Sequence, residues 1–230
     1  MNPWIELPTR RPYVLERDRP EIDRFNKTAA RPARVELSLL PEPYVGRLDA
    51  PVLLLTLNPG VSAADFALHK TVAFRRRVLQ CHRQEPMEYP NYYLDPKVTG
   101  PGAQWLHRIA RPLVTEFGAR VVSNRLTLVE FFPYHSERFA HKGLHVSSQQ
   151  YAFGLVRTAI AAGAAMFITR GRELWYGAVP ELRGCPRVYF TRSVQNIVIS
   201  PKNCPEGYPV VAAAMRGAMP NRGLPRSFLT

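Results

Sequence analysis

Cysteine is scarce in this chain and acidic residues are outnumbered, and each shortage narrows what the protein can be. Only Cys81, Cys185 and Cys204 occur, far apart and with no C-x-x-C pair. That count argues for reduced thiols and removes a four-thiolate iron–sulfur cluster or a four-cysteine zinc site. No apolar run approaches the roughly 20 residues a membrane helix needs. The opening MNPWIELPTRRPYVLERDRPE carries no apolar stretch of the signal-peptide kind. A cytoplasmic protein without membrane contact is expected. The spacing His141-Lys-Gly-Leu-His145 is interrupted by Gly143 and holds no acidic residue, so it reads as a loop pair. No metal and no cofactor are expected.

What the chain does have is basic charge and enough apolar mass for one core. Lys and Arg total 31 against 18 Asp and Glu, a net charge of +13. Such an excess attracts polyanions, nucleic acid first among them; the bland alternative is a solvated basic surface. With 46% hydrophobic residues over 230 positions, one α/β-type domain is the default. Residues 1–45, rich in Pro and Arg, read as an arm packed over a domain spanning 46–230, with a short helix near Glu21–Ala29.

Within that domain, residues 51–57 are almost unbroken apolar, the pattern of a strand buried on both faces in a parallel sheet. Further strands are expected at Arg120–Leu128, Ala164–Thr169, Pro186–Thr191 and Gln195–Ser200. Helical patterns lie between them: Phe66–Arg83, Gln104–Phe117 with a break or kink at Pro112, Ser147–Gly163, Arg172–Ala178 and Tyr208–Gly217. The alternation predicts a three-layer α/β/α sandwich around a mainly parallel sheet of four or five strands. In such sheets ligands sit at the carboxyl ends of the strands. Three polar, Pro-containing stretches are expected there: Asn58-Pro59-Gly60, FFPYHS (131–136) and SPKNCPEG (200–207). Taken singly, each is also an ordinary βα turn.

In order, these stretches resemble the uracil-DNA glycosylase superfamily, and most closely its mismatch-specific and single-strand-selective branches. Their first motif reads Gly-x-Asn-Pro-Gly; here it is Thr56-Leu57-Asn58-Pro59-Gly60. NYYLDPKVTGPGAQWLHRIARPL (91–113) is similar to the family's aromatic segment. It aligns Tyr93, or less well Tyr92, with the ring that stacks on the base. VVSNRLTLVEFFPYHS (121–136) places Asn124 where the family reads the base edge, and VISPKNCPEG (198–207) corresponds to the last motif. There Ser200, Pro201, Lys202 and Asn203 stand without the histidine that many members use on the leaving base. The mismatch-specific branch lacks it too. The resemblance implies a monomeric, metal-free glycosylase acting on single- or double-stranded DNA.

N-glycosidic cleavage builds positive charge on the sugar and negative charge on the departing base, and it needs an aromatic face for the extruded base. On this reading Asn58 positions the water, and Pro59 and Gly60 let the backbone approach the DNA. Asn124 pairs with the base edge, Tyr93 stacks, and Lys202 meets a phosphate. His135 is the one histidine inside the cluster able to assist the leaving group. Arg75, Arg76 and Arg77 form a basic stripe toward the DNA backbone. Each has a plainer alternative. Asn58 suits an Asx turn or helix cap, Asn124 a backbone contact in a strand, Tyr93 core packing, His135 a bond to a loop carbonyl, and the basic residues a solvated face. Two other functions stay open: a non-catalytic nucleic-acid binder, and a phosphate-ester hydrolase, for which Asp65 and Asp95 are too isolated to hold a metal.

Overall fold

The computed structural model describes residues 1–193 and 195–218. Its centre is a five-stranded sheet of order β1-β3-β2-β4-β5. The strands are β1 (Tyr44–Val45), β2 (Val52–Thr56), β3 (Leu126–Glu130), β4 (Ala165–Ile168) and β5 (Val188–Tyr189). All pairings are parallel except that of β1 with β3. Every residue of β2 is buried, as its apolar run requires of a strand covered on both faces. The mixed α/β sandwich expected from the sequence is therefore the architecture observed.

The helices are α1 (Arg19–Thr28), α2 (Ala63–Lys70), α3 (Val72–His82), α4 (Pro101–Phe117), α5 (Ala119–Arg125), α6 (Gln149–Ala161), α7 (Arg172–Ala178) and α8 (Gly207–Met215). Several elements depart from the sequence pattern. The single helix expected over Phe66–Arg83 is two, because Thr71 leaves helical geometry (ψ 133°) and its hydroxyl caps α3 by accepting from Phe74 N. Pro112 does not break α4, whose apolar face of Leu106, Ile109, Ala110 and Leu113 is buried. Pro112 cannot donate to the carbonyl of Arg108, and the next carbonyl, of Ile109, accepts Ile199 N from outside the helix at 3.0 Å. That contact also explains a third departure. Gln195–Ser200 is no strand where it is described: its end docks on α4 instead of extending the sheet.

The strand expected at Arg120–Leu128 begins later. Gly118, at φ 81°, ends α4 and opens the short α5, which runs through Asn124 to Arg125 before β3 starts at Leu126. Ser123 anchors this turn, its hydroxyl donating to Asn91 O and accepting from Asn91 N.

The first 45 residues feed the same core as the rest. Trp4 packs against His82 and Tyr134. Asp18 is fully buried, accepting from the Tyr134 hydroxyl (2.8 Å) and from Ser148 N (3.0 Å). No helix among the described residues is long and apolar enough to cross a membrane.

Candidate functional site

Strands β3, β2 and β4 lie side by side, so the chain leaves the end of β2 for one neighbour and returns to the other. Open sheets place their ligand crevice at such a reversal. A cavity of about 430 Å³ opens there, lined by the β2 loop (Thr56 to Ser62), Glu130 at the end of β3, and Thr169 and Arg170 after β4. Tyr93 and the start of α4, with Trp105, complete its wall. Its volume falls within the usual range of small-ligand sites.

Two of the expected stretches meet at this cavity. Phe131 N and Phe132 N donate to the carbonyls of Thr56 and Leu57, and Ser136 N donates to that of Pro59, zipping FFPYHS onto the Asn58 loop. The Asn58 amide nitrogen donates to Pro59 O and to Ser136 Oγ, each at 2.9 Å. Because Pro59 O can only accept, the amide orientation is fixed. The Asn58 Oδ1 has no hydrogen-bond partner among the described residues, and Asn58 lines the cavity. An oriented acceptor of this kind can hold a water.

Tyr93 also lies where expected. Its ring rests on Gly102, where a Cβ would come within 2.6 Å of it, so α4 must begin with a glycine at that point. Its hydroxyl donates to Glu42 Oε2 at 2.6 Å. Tyr92 is fully buried, donates to the other Glu42 oxygen (2.8 Å) and belongs to the core rather than the cavity.

The remaining expectations are corrected. β2 and β3 are parallel with Val52 opposite Leu126 and Thr56 opposite Glu130. Asn124, which precedes β3, is therefore at the opposite end of the sheet from Asn58. Its amide donates to Arg120 O at 2.9 Å within α5, so it cannot read a base held by Asn58. Ser200, Pro201, Lys202 and Asn203 are not among the residues lining the cavity. Asn203 closes its own loop, donating to the carbonyls of Asn196 and Val198 and accepting from Ser193 N. His135 is buried with both ring nitrogens at backbone carbonyls, Gly60 O (2.8 Å) and Leu40 O (3.0 Å). It fixes the Asn58 loop and does not face the cavity. Of the basic stripe, Arg75 is bonded to the Tyr13 hydroxyl and Arg77 forks onto Asp95 Oδ2; Arg76 is the exposed one.

Several cavity residues escaped the sequence reading. Ser136 sat inside a quoted stretch. Glu130 carries a legible signal, a charged residue closing the apolar strand LTLVE. Burial pushes its carboxyl up to about 8, with the nearby Glu42 adding to the rise and Thr56 opposing it. Burial also raises Glu42, against the lowering effect of His135 and the two tyrosines. Glu42, Asp65, Glu130 and Glu137 give the cavity an acidic lining inside a basic protein.

Among the described residues, Glu42, His69 and His135 bring donor atoms within 4.8 Å of one another, the spacing of a possible metal site. Both His135 nitrogens lie against carbonyls, of which a neutral imidazole can donate to only one, and each Glu42 oxygen accepts from a tyrosine hydroxyl, while His69 Nδ1 is buried without a hydrogen-bond partner. Comparison with protein-family models, with curated proteins and with solved structures finds no match.

Proposed function

We propose that the chain is a glycosidic hydrolase of the glycosylase type, releasing a modified base from DNA into the cavity beside Asn58. The observation that carries it is the Asn58 amide. Its nitrogen is locked by Ser136 and Pro59, and its oxygen is left to hold a water beside an aromatic wall. Water held by an amide is a weak nucleophile, which suffices when the sugar is already cationic as it is attacked. The acidic lining is suited to that cation. It is ill suited to cradling a phosphate.

The residues that carry the resemblance fall in two places. Its first motif and Tyr93 share the cavity, whereas Asn124 and the 200–203 loop do not. That loss favours a second reading, a nucleic-acid binder that uses the cavity without chemistry. Incubation with labelled oligonucleotides carrying uracil, deaminated purines and alkylated bases, followed by alkaline cleavage, separates the two. Hydrolysis predicts alkali-labile sites; binding alone predicts salt-dependent complexes and none.

A further inference from the structure

Glu130 is the last residue of β3 and is 6% exposed, yet it lines the cavity with Asn58 and Tyr93. Its backbone N–H is satisfied by Pro43 O at 2.9 Å, so the strand end is held. Its Oε2 is buried and has no hydrogen-bond partner. Buried polar atoms without partners are rare enough in native proteins to need an explanation, and an absent ligand is one. The neighbouring carboxylate, Glu42, has both oxygens occupied by tyrosine hydroxyls, so Glu130 is the acid of the pair left with bonding capacity.

We infer that Glu130, as the neutral acid, determines the specificity of the cavity. It pairs with the amide-like edge of a bound base by donating its O–H to the base carbonyl and accepting the adjacent N–H. The inference rests on the proposal that the cavity holds a base, and it supplies the edge contact that Asn124 is too distant to make. A carboxylic acid offers one donor and one acceptor side by side, the complement of uracil's O4 and N3–H. Burial keeps Glu130 protonated near neutrality. The other charged or titratable groups lining the cavity are Glu42, Asp65, Glu137, Tyr93 and Arg170. Of these, Glu42 disfavours ionisation of Glu130.

The test needs no variant at first. Equilibrium binding is measured to a single-stranded oligonucleotide carrying one deoxyuridine and to the same strand carrying 3-methyldeoxyuridine, which lacks the N–H. Wild type should prefer the first by on the order of tenfold, the scale of one buried hydrogen bond left unmade. Glu130→Ala should bind both alike. Glu130→Gln, which retains one donor and one acceptor, should keep the preference. Equal binding by wild type, or a preference that persists in Glu130→Ala, overturns the role. Alkali-labile sites from the same wild-type samples report on hydrolysis separately. Discrimination without cleavage removes the chemistry and leaves Glu130 its place; cleavage without discrimination does the reverse.

Discussion

The side-chain amide of Asn58 donates to the hydroxyl of Ser136 across a separation of 78 residues, at 2.9 Å. The bond joins the loop after β2 to the loop after β3 and, together with the Pro59 carbonyl that sets which way the amide faces, holds the Asn58 side chain in place. Ser136 itself is buried and donates onward to Arg138 O. Replacing it leaves the amide only its bond to Pro59 O, without touching the cavity's aromatic wall. Ser136→Ala should therefore slow base release by about tenfold, the worth of one ordinary hydrogen bond. DNA affinity should stay within about twofold, because the amide acts on a water rather than on the backbone. A loss confined to affinity would place Ser136 in binding instead.

Stability should peak near pH 6.5. Burial lowers His69 to about 3 and His82 to about 4, and lowers His141 as well. For His69 the charges of His135, Arg75 and Arg11 add to that effect. These histidines stay neutral in the fold and take up protons when it opens, so stability present above 6.5 is lost as pH falls through the range down to 3–4. Glu130 has the opposite sign. Its raised carboxyl is protonated in the fold and ionised in the open chain, so its contribution is full below 4.5 and is lost as pH rises to about 8. Glu42 acts in the same sense. Melting temperatures across pH 4.5–9 should trace a dome. Glu130→Gln should flatten its alkaline limb, and an unchanged limb would show that Glu130 is ionised in the fold.

Binding to DNA should depend on salt through Arg76 more than through its neighbours. Arg75 and Arg77 already have partners, Tyr13 and Asp95, while Arg76 is exposed on the same helix beside an open groove. Arg76→Ala should shallow the slope of log affinity against log salt by about one unit, one phosphate contact's share. Arg77→Ala should act on the fold instead. It removes a forked ion pair whose partners are mostly buried, at a cost of about 1–3 kcal/mol in urea unfolding. Equal slope changes for all three arginines would contradict this division.

The central strand and the placing of the Asn58 loop were legible because both rest on local signals. An unbroken apolar run has to be buried on both faces, and Asn-Pro-Gly has to end it. Arg172–Ala178 was legible to the residue for a similar reason: Gly171, at φ 68°, opens the helix where a side chain would collide with Leu57. The errors share a cause of a different kind. Val121 and Val122 read as strand, but Gly118 starts a helix there and Ser123 ties it to Asn91, 32 residues away. That anchor carried Asn124 to the wrong end of the sheet. Gln195–Ser200 has the apolar pattern of a strand, and Ile197 and Ile199 are buried, yet the segment docks on α4 through Ile199 N at Ile109 O. Tertiary contacts decided both, and no local pattern records them. The commitment of both His135 nitrogens to carbonyls is likewise visible only once Leu40 and Gly60 are brought beside it.

The most direct test of hydrolysis at Asn58 is a paired measurement on wild type and Asn58→Ala. Base release is read as alkali-labile sites in oligonucleotides carrying modified bases, and DNA affinity is measured on the same strands. Wild type should release at least one of these bases. Asn58→Ala should release it on the order of 10²–10³-fold more slowly, the scale for removing one preorganised hydrogen-bonding group. Its affinity should be nearly unchanged. A wild-type protein that binds these strands and releases nothing, or an Asn58→Ala variant as fast as wild type, would contradict the assignment of the water to Asn58.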